Sequence, residues 1–108
     1  MVEGLSPTEV ERRLRDGPAG PVLLDVREPF ERDLARIHPS VHIPMQEIPG
    51  RLSEIPRDRP LIVYCHTGVR SAMVAGFLEQ RGYRQVANLN GGIDAWSREV
   101  DRRVPRYP

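Results

Sequence analysis

Short apolar runs alternate along this chain with segments in which apolar residues recur at helical spacing. Three runs bounded by Gly, Pro or charged residues, at residues 21–26, Leu61–Tyr64 and Val86–Leu89, are typical of strands buried on both faces. Two weaker runs, at residues 2–5 and 41–44, predict a short edge strand and a second short strand.

The segments between these runs predict helices. Ser6 is a candidate N-cap, with Pro7 at the first helical position and Glu9 placed to complete a capping box, so that a helix would run to about Asp16. Further helices are predicted at residues 29–34, 48–53 and 70–81, and a last one would carry Ile93 and Trp96 as core residues. The tail at residues 104–108 is expected to be irregular.

Strands that alternate with helices at this spacing predict an α/β domain, with a parallel sheet and helices on both faces. In such sheets, ligands bind at the carboxyl ends of the strands. Reactive side chains follow two of the predicted strands: Asp25 and Arg27 after one, and the segment from Cys65 to Arg70 after another. The pattern therefore predicts a functional site at this edge.

The amino-acid composition excludes several kinds of partner and catalytic group. The 108 residues fit one domain, residues 1–108, and the net charge of +1 gives no sign of a nucleic-acid partner. All 16 basic residues are Arg, so no lysine Schiff base or Walker A lysine exists. The single Cys excludes an internal disulfide and a CxxC pair, and neither a metal nor a cofactor is predicted.

The same sequence features bear on location and source. The sequence contains neither an apolar run of membrane-spanning length nor a signal peptide, which predicts a cytoplasmic protein without a membrane partner. The 11 Pro residues fit a thermophilic source as well as a coding bias toward Arg, Pro and Gly.

The strongest chemical signal is Cys65, which directly follows a predicted strand and precedes a Gly-containing turn and a helix. Backbone N–H groups of such a turn and of the helix N-terminus point toward the sulfur and favour the reactive thiolate. Gly68 permits the turn, and Arg70 adds a positive charge. The alternative is a buried Cys that packs as a small apolar residue.

Loop length separates two chemistries for a nucleophilic Cys. Cysteine phosphatases place five residues between Cys and Arg, whereas four lie between Cys65 and Arg70. The shorter loop favours a single sulfur on the cysteine over a tetrahedral phosphate. No general acid for a phosphate ester is evident either, so a small cysteine phosphatase is the less favoured interpretation.

Several motifs together resemble a single-domain rhodanese, a sulfurtransferase. These motifs are Asp-Val-Arg-Glu-Pro-Phe-Glu at residues 25–31, Ile43-Pro44, Ile-Val-Tyr-Cys-His-Thr-Gly-Val-Arg-Ser at residues 62–71, and Asn-Leu-Asn-Gly-Gly-Ile-Asp-Ala-Trp at residues 88–96. One segment departs from the family: residues 35–40 lack both Gly of the usual Gly-His-Ile-Pro-Gly-Ala, which leaves the shape of that connection open. The resemblance implies a five-stranded parallel sheet and a Cys65 persulfide intermediate.

The resemblance also assigns roles to neighbouring residues. It implies catalysis by Cys65 and Arg70, with Arg70 drawing in an anionic donor; the alternative for Arg70 is an ion pair with a surface carboxylate. Asp25 and Arg27 would brace the Cys65 loop through charged hydrogen bonds, or form a purely structural ion pair. The remaining active-site loop and substrate-binding residues would be His66, Thr67, Gly68, Val69 and Ser71. His66 is either a proton donor or a residue without a chemical role.

The expected partners are a small sulfur donor, thiosulfate or a persulfide, and an acceptor that is cyanide or a thiol, including a protein thiol. A competing hypothesis is a sulfur-carrier or partner-docking module that takes sulfur from another protein's persulfide rather than from thiosulfate.

Overall fold

A five-stranded parallel sheet forms the centre of the computed structural model, which describes residues 2–108. The strands lie in the order β1-β5-β4-β2-β3. Their bounds are Glu3–Leu5 (β1), Val22–Asp25 (β2), Val41–His42 (β3), Leu61–Tyr64 (β4) and Val86–Leu89 (β5). The predicted parallel α/β architecture is confirmed, with β1 at one edge.

Strand register brings the two reactive segments to the same edge. Asp25 at the end of β2 lies opposite Tyr64 at the end of β4, and Val63 lies opposite Asn88 of β5. Cys65 follows β4 directly and therefore emerges between the ends of its two neighbouring strands.

Helices cover both faces of the sheet: α1 (Pro7–Leu14), α2 (Pro29–Leu34), α3 (Val69–Gln80) and α4 (Gly92–Glu99). Side chains of β4 alternate between two hydrophobic cores, because successive strand residues point to opposite faces. Leu61 and Val63 pack in the core that includes α3, whereas Ile62 and Tyr64 pack in the core that includes α1 and α4. Trp96 is a core residue, as predicted.

Three local predictions are wrong: the capping box at Glu9, the end of α1 near Asp16 and the helix at residues 48–53. Ser6 caps α1 by accepting a hydrogen bond from the Glu9 N–H at 3.2 Å, but the Glu9 carboxylate binds Arg12 and Arg13 instead of completing a capping box, and α1 ends at Leu14. The helix predicted at residues 48–53 is replaced by two 3-10 turns, Met45–Gly50 and Leu52–Glu54. Pro49 explains this difference, because it lacks the N–H that an α-helix needs.

The connection at residues 35–40, which lacks the two family glycines, is fixed by hydrogen bonds. Arg27 donates to the Ala35 carbonyl at 2.6 Å, and the Ile37 N–H donates to the Tyr64 hydroxyl at 3.2 Å. Ser40 donates to the Ile37 carbonyl at 2.6 Å. Within residues 2–108, no helix has the length and apolar character needed to cross a membrane.

Candidate active site

Neutral hydrogen-bond donors surround the Cys65 sulfur. Cys65 is buried, and its Sγ lies 3.2 Å from the Gly68 backbone N, 3.4 Å from the Ser71 backbone N and 3.3 Å from the Ser71 Oγ. Two of these three groups belong to the first turn of α3. Donors converging on one sulfur stabilise a thiolate and then a sulfur atom bonded to it.

Two glycines allow the loop to take this shape. Gly68 has a φ of 103°, and Gly92 at the start of α4 has a φ of 62°. A Cβ on Gly92 would lie only 2.6 Å from the Cys65 carbonyl oxygen. This close approach lets the Ile93 N–H donate to the Cys65 carbonyl at 2.9 Å and the Asp94 N–H donate to the His66 carbonyl at 3.1 Å. The N-terminus of α4 therefore holds the carbonyls of the loop.

Asn88 of β5 ties the two ends of the loop together and was not predicted from the sequence. Its Nδ2 donates to the Gly68 carbonyl at 3.3 Å, and its Oδ1 accepts a short hydrogen bond from the Ser71 hydroxyl. Because a hydroxyl has one proton, the Ser71 Oγ touches the Cys65 sulfur without donating to it, and the two backbone N–H groups are the donors to the sulfur. Asn88 is buried in a strand that is otherwise apolar. An Asn in such a strand was the signal that could have identified it, because buried polar groups need partners.

Arg70 is paired with a carboxylate in the structure. Its Nη1 and Nη2 donate to Glu31 Oε2 at 2.7 Å and Oε1 at 2.8 Å. The ion pair predicted as the alternative role of Arg70 is therefore present. Its partner, Glu31, is buried rather than at the surface. Mainly through this pair, the pKa of Glu31 falls to about 2 and the pKa of Arg70 rises.

Asp25 and Arg27 form a buried network beside the Cys65 loop. Arg27 donates to both Asp25 oxygens at 2.9 and 2.8 Å, and Arg32 and the Tyr64 hydroxyl also donate to Asp25. Burial alone would raise the pKa of Asp25, but the hydrogen bonds and charge of Arg27 outweigh it, and this pKa is lowered. The side chains of the pair bind α2, the tail, residues 35–40 and the Tyr64 side chain at the end of β4, rather than residues 65–71. Direct bracing of the loop is corrected to an indirect link through Glu31, whose carbonyl accepts from Arg27 at 3.2 Å.

The tail at residues 104–108 is irregular, as predicted, yet it reaches the site. The Tyr107 ring stacks on His66 with ring centroids 4.0 Å apart, and His66 Nε2 donates to the Tyr107 carbonyl at 2.9 Å. The Tyr107 hydroxyl donates to Glu31 Oε1 at 2.9 Å and accepts from Arg27 at 3.0 Å. Thr67 and Val69 lie exposed on the outside of the loop.

A buried cysteine in a loop of convergent donors, at the carboxyl edge of a parallel sheet, defines a candidate nucleophilic site. A model of the rhodanese-like domain matches residues 6–99, and the chain belongs to this family. Among residues 2–108, no group of three or more His, Cys, Asp or Glu side chains is arranged to hold a metal ion.

Relatives and solved structures agree with this assignment. The chain is 41% identical over 98 residues to a sulfurtransferase of Allochromatium vinosum, covering 91% of both chains. It is 34% identical to the thiosulfate sulfurtransferase GlpE of Pseudomonas syringae, covering 83% of both. A rhodanese-related protein from Thermoplasma volcanium superposes with a TM-score of 0.82 at 32% identity, covering 91% of this chain and 93% of that one. Several other relatives are longer, and the chain spans 22% to 43% of their length.

Proposed function

We propose that this chain is an enzyme that moves a sulfane sulfur from thiosulfate to cyanide or a thiol through a persulfide on Cys65. The observation that carries this proposal is the convergence of the Gly68 N–H and the Ser71 N–H on the Cys65 sulfur. The similarity to sulfurtransferases supports the reaction class.

The reaction takes place in two half-reactions. The Cys65 thiolate attacks the outer sulfur of thiosulfate, the sulfur–sulfur bond of thiosulfate breaks, and sulfite leaves with the bonding electron pair. The acceptor then attacks the outer sulfur of the persulfide, the Sγ–S bond breaks, and the thiolate returns. Cyanide leaves as thiocyanate, and a thiolate leaves as a persulfide, so ping-pong kinetics are expected.

The loop donors serve both half-reactions. Because they are backbone N–H groups fixed by α3, α4 and Asn88, they need no reorganisation when charge develops on sulfur. Gly68, Ser71 and Cys65 are therefore proposed as the core of the site. His66, Thr67 and Val69 form the remaining part of the loop, and Arg70 is proposed to meet the anionic donor.

A second candidate function is a sulfur carrier that docks on another protein. One observation favours it: exposed apolar side chains lie at the start of α3 and of α2. Val69, Met73 and Phe30 are 68%, 61% and 64% exposed. A phosphatase remains the least favoured function, since the loop has four residues between Cys65 and Arg70.

Intact-mass measurement separates these functions. After incubation with thiosulfate, the wild type should gain one sulfur atom, and cyanide should remove it. A gain only from a protein persulfide would favour the carrier function. A protein that gains no sulfur from either donor, or that hydrolyses aryl phosphates at a comparable rate, would contradict the proposal.

A further inference from the structure

Glu31 is a carboxylate beside the candidate site whose two oxygens are held by several hydrogen bonds. Its side chain is 6% exposed and accepts four hydrogen bonds. Two come from Arg70, one comes from the Glu28 N–H at 3.0 Å, and one comes from the Tyr107 hydroxyl at 2.9 Å. A carboxylate with this many donors is held in one orientation.

The position of Glu31 does not depend on Arg70. Glu31 lies in the first turn of α2, where its N–H donates to the Glu28 carbonyl at 3.0 Å and its side chain completes a capping box with Glu28. Buried Arg27 binds the Glu31 carbonyl, and its Nη1 also donates to the Tyr107 hydroxyl. Glu31 is therefore a fixed point that the helix cap, the buried network and the tail all support.

Arg70, in contrast, has a long side chain that is 34% exposed. Only one N–H on each Nη is used by Glu31. Within residues 2–108, the Nε–H and the other two Nη N–H groups of Arg70 have no protein acceptor, so they remain available to an anion. An unanchored Arg would sample several rotamers, whereas an Arg paired through two parallel hydrogen bonds does not.

We propose that Glu31 is a positioning residue: it holds the Arg70 guanidinium beside the Cys65 loop so that the unused N–H groups meet an anionic donor, and Tyr107 helps to fix Glu31. This inference rests on the proposed function for the identity of the donor. A positioning role and simple charge compensation predict opposite effects of removing Glu31. If Glu31 only cancelled the charge of Arg70, removing it would improve the capture of anions; if it positions Arg70, removing it weakens that capture despite the added net positive charge.

Alkylation of Cys65 tests the inference without needing sulfur transfer. The rate with anionic iodoacetate is divided by the rate with neutral iodoacetamide, which cancels changes in thiolate content. The variants are Glu31→Ala, Glu31→Gln, Tyr107→Phe and Arg70→Ala. The matched control is Glu47→Gln, which removes one negative charge from an exposed pair with Arg51.

We expect the ratio to fall several-fold in Glu31→Ala and at least as far in Arg70→Ala. A double variant that combines Glu31→Ala with Arg70→Ala should match Arg70→Ala alone, because Glu31 acts through Arg70. Glu31→Gln, which keeps an acceptor oxygen, should lie between the wild type and Glu31→Ala. Tyr107→Phe, which keeps the ring on His66, should show a smaller fall. Glu47→Gln should leave the ratio unchanged.

A ratio that rises or stays constant in both Glu31 variants would overturn the inference. Thermal melts show whether each variant is folded; if Glu31→Ala is not, Glu31→Gln and Tyr107→Phe decide the question on the same criterion. If the ratios behave as expected but the wild type accepts no sulfur from thiosulfate, the positioning role stands and the proposed function fails.

Discussion

The ends of β2 and β4 lie at the same edge of the sheet and differ in how their polar groups are paired. After β2, Asp25 and Arg27 are fully buried, and their charges are satisfied by one another, by Arg32 and by Tyr64. After β4, the hydrogen bonds that the Cys65 sulfur accepts within residues 2–108 come from uncharged backbone N–H groups, and the sulfur can accept further interactions when it carries charge. The Asp25–Arg27 network, in which the charges are paired, is suited to stabilising the fold. The Cys65 loop, in which the donors are uncharged, is suited to binding the negative charge of a reacting sulfur.

The largest effect is expected from Arg27→Met, which should lower the free energy of unfolding. Arg27→Met leaves Asp25 buried with less compensation and also removes the hydrogen bond to Ala35. Breaking a buried ion pair costs about 3–5 kcal/mol, so the free energy of unfolding should fall by that amount. The molecules that remain folded should still accept sulfur from thiosulfate.

Chemical denaturation together with intact mass checks this prediction. Arg12→Met, which removes an exposed partner of Glu9, is the matched control and should change stability little. If folded Arg27→Met loses sulfur loading while its stability is unchanged, the division between a structural Asp25–Arg27 network and a chemical Cys65 loop is wrong.

A smaller effect on stability but a strong one on the site is expected for Gly92→Ala. A Cβ there meets the Cys65 carbonyl, and the positive φ adds strain of about 1–3 kcal/mol. The loop must shift, so Cys65 should take up sulfur more slowly than in the wild type. Gly76→Ala in α3 is the control, because a Cβ there meets nothing closer than a Val2 methyl at 3.9 Å. Equal loading rates in the two variants would show that α4 does not shape the loop.

The smallest effect concerns pH. The pKa of Glu31 is lowered from 4.5 to about 2, chiefly by its hydrogen bonds with Arg70. A lowered carboxylate pKa stabilises the fold above the unfolded value, and this contribution is lost as the pH falls from about 4.5 toward 2. Over this range, the unfolding free energy should decline more steeply in the wild type than in Glu31→Gln. Parallel pH profiles for the two proteins would contradict the assignment of this pair.

The sequence predicted the sheet well because its strands are continuous apolar runs with clear boundaries. The bounds of β4, β5 and α2 agree with the prediction, and Cys65, Gly68 and Ser71 come together as the turn and helix start required. These features depend on neighbours in sequence, which local patterns report directly.

The remaining contacts connect distant residues. The Arg70–Glu31 pair spans 39 positions and the Tyr107–Glu31 contact spans 76. An Arg next to a helix start is compatible with many partners, and the irregular tail carries no periodic signal that indicates where it lies. The roles of Glu31 and Tyr107 were therefore visible only in the folded chain.

Thiocyanate formation by Cys65→Ser is the most direct test of the proposed chemistry, because no other thiol exists in the sequence. Wild type and variant are incubated with thiosulfate and cyanide, and a thermal melt confirms that both are folded. We predict turnover by the wild type and only the uncatalysed background rate with Cys65→Ser. Turnover by the variant at the wild-type rate would contradict a Cys65 persulfide and with it the proposed mechanism.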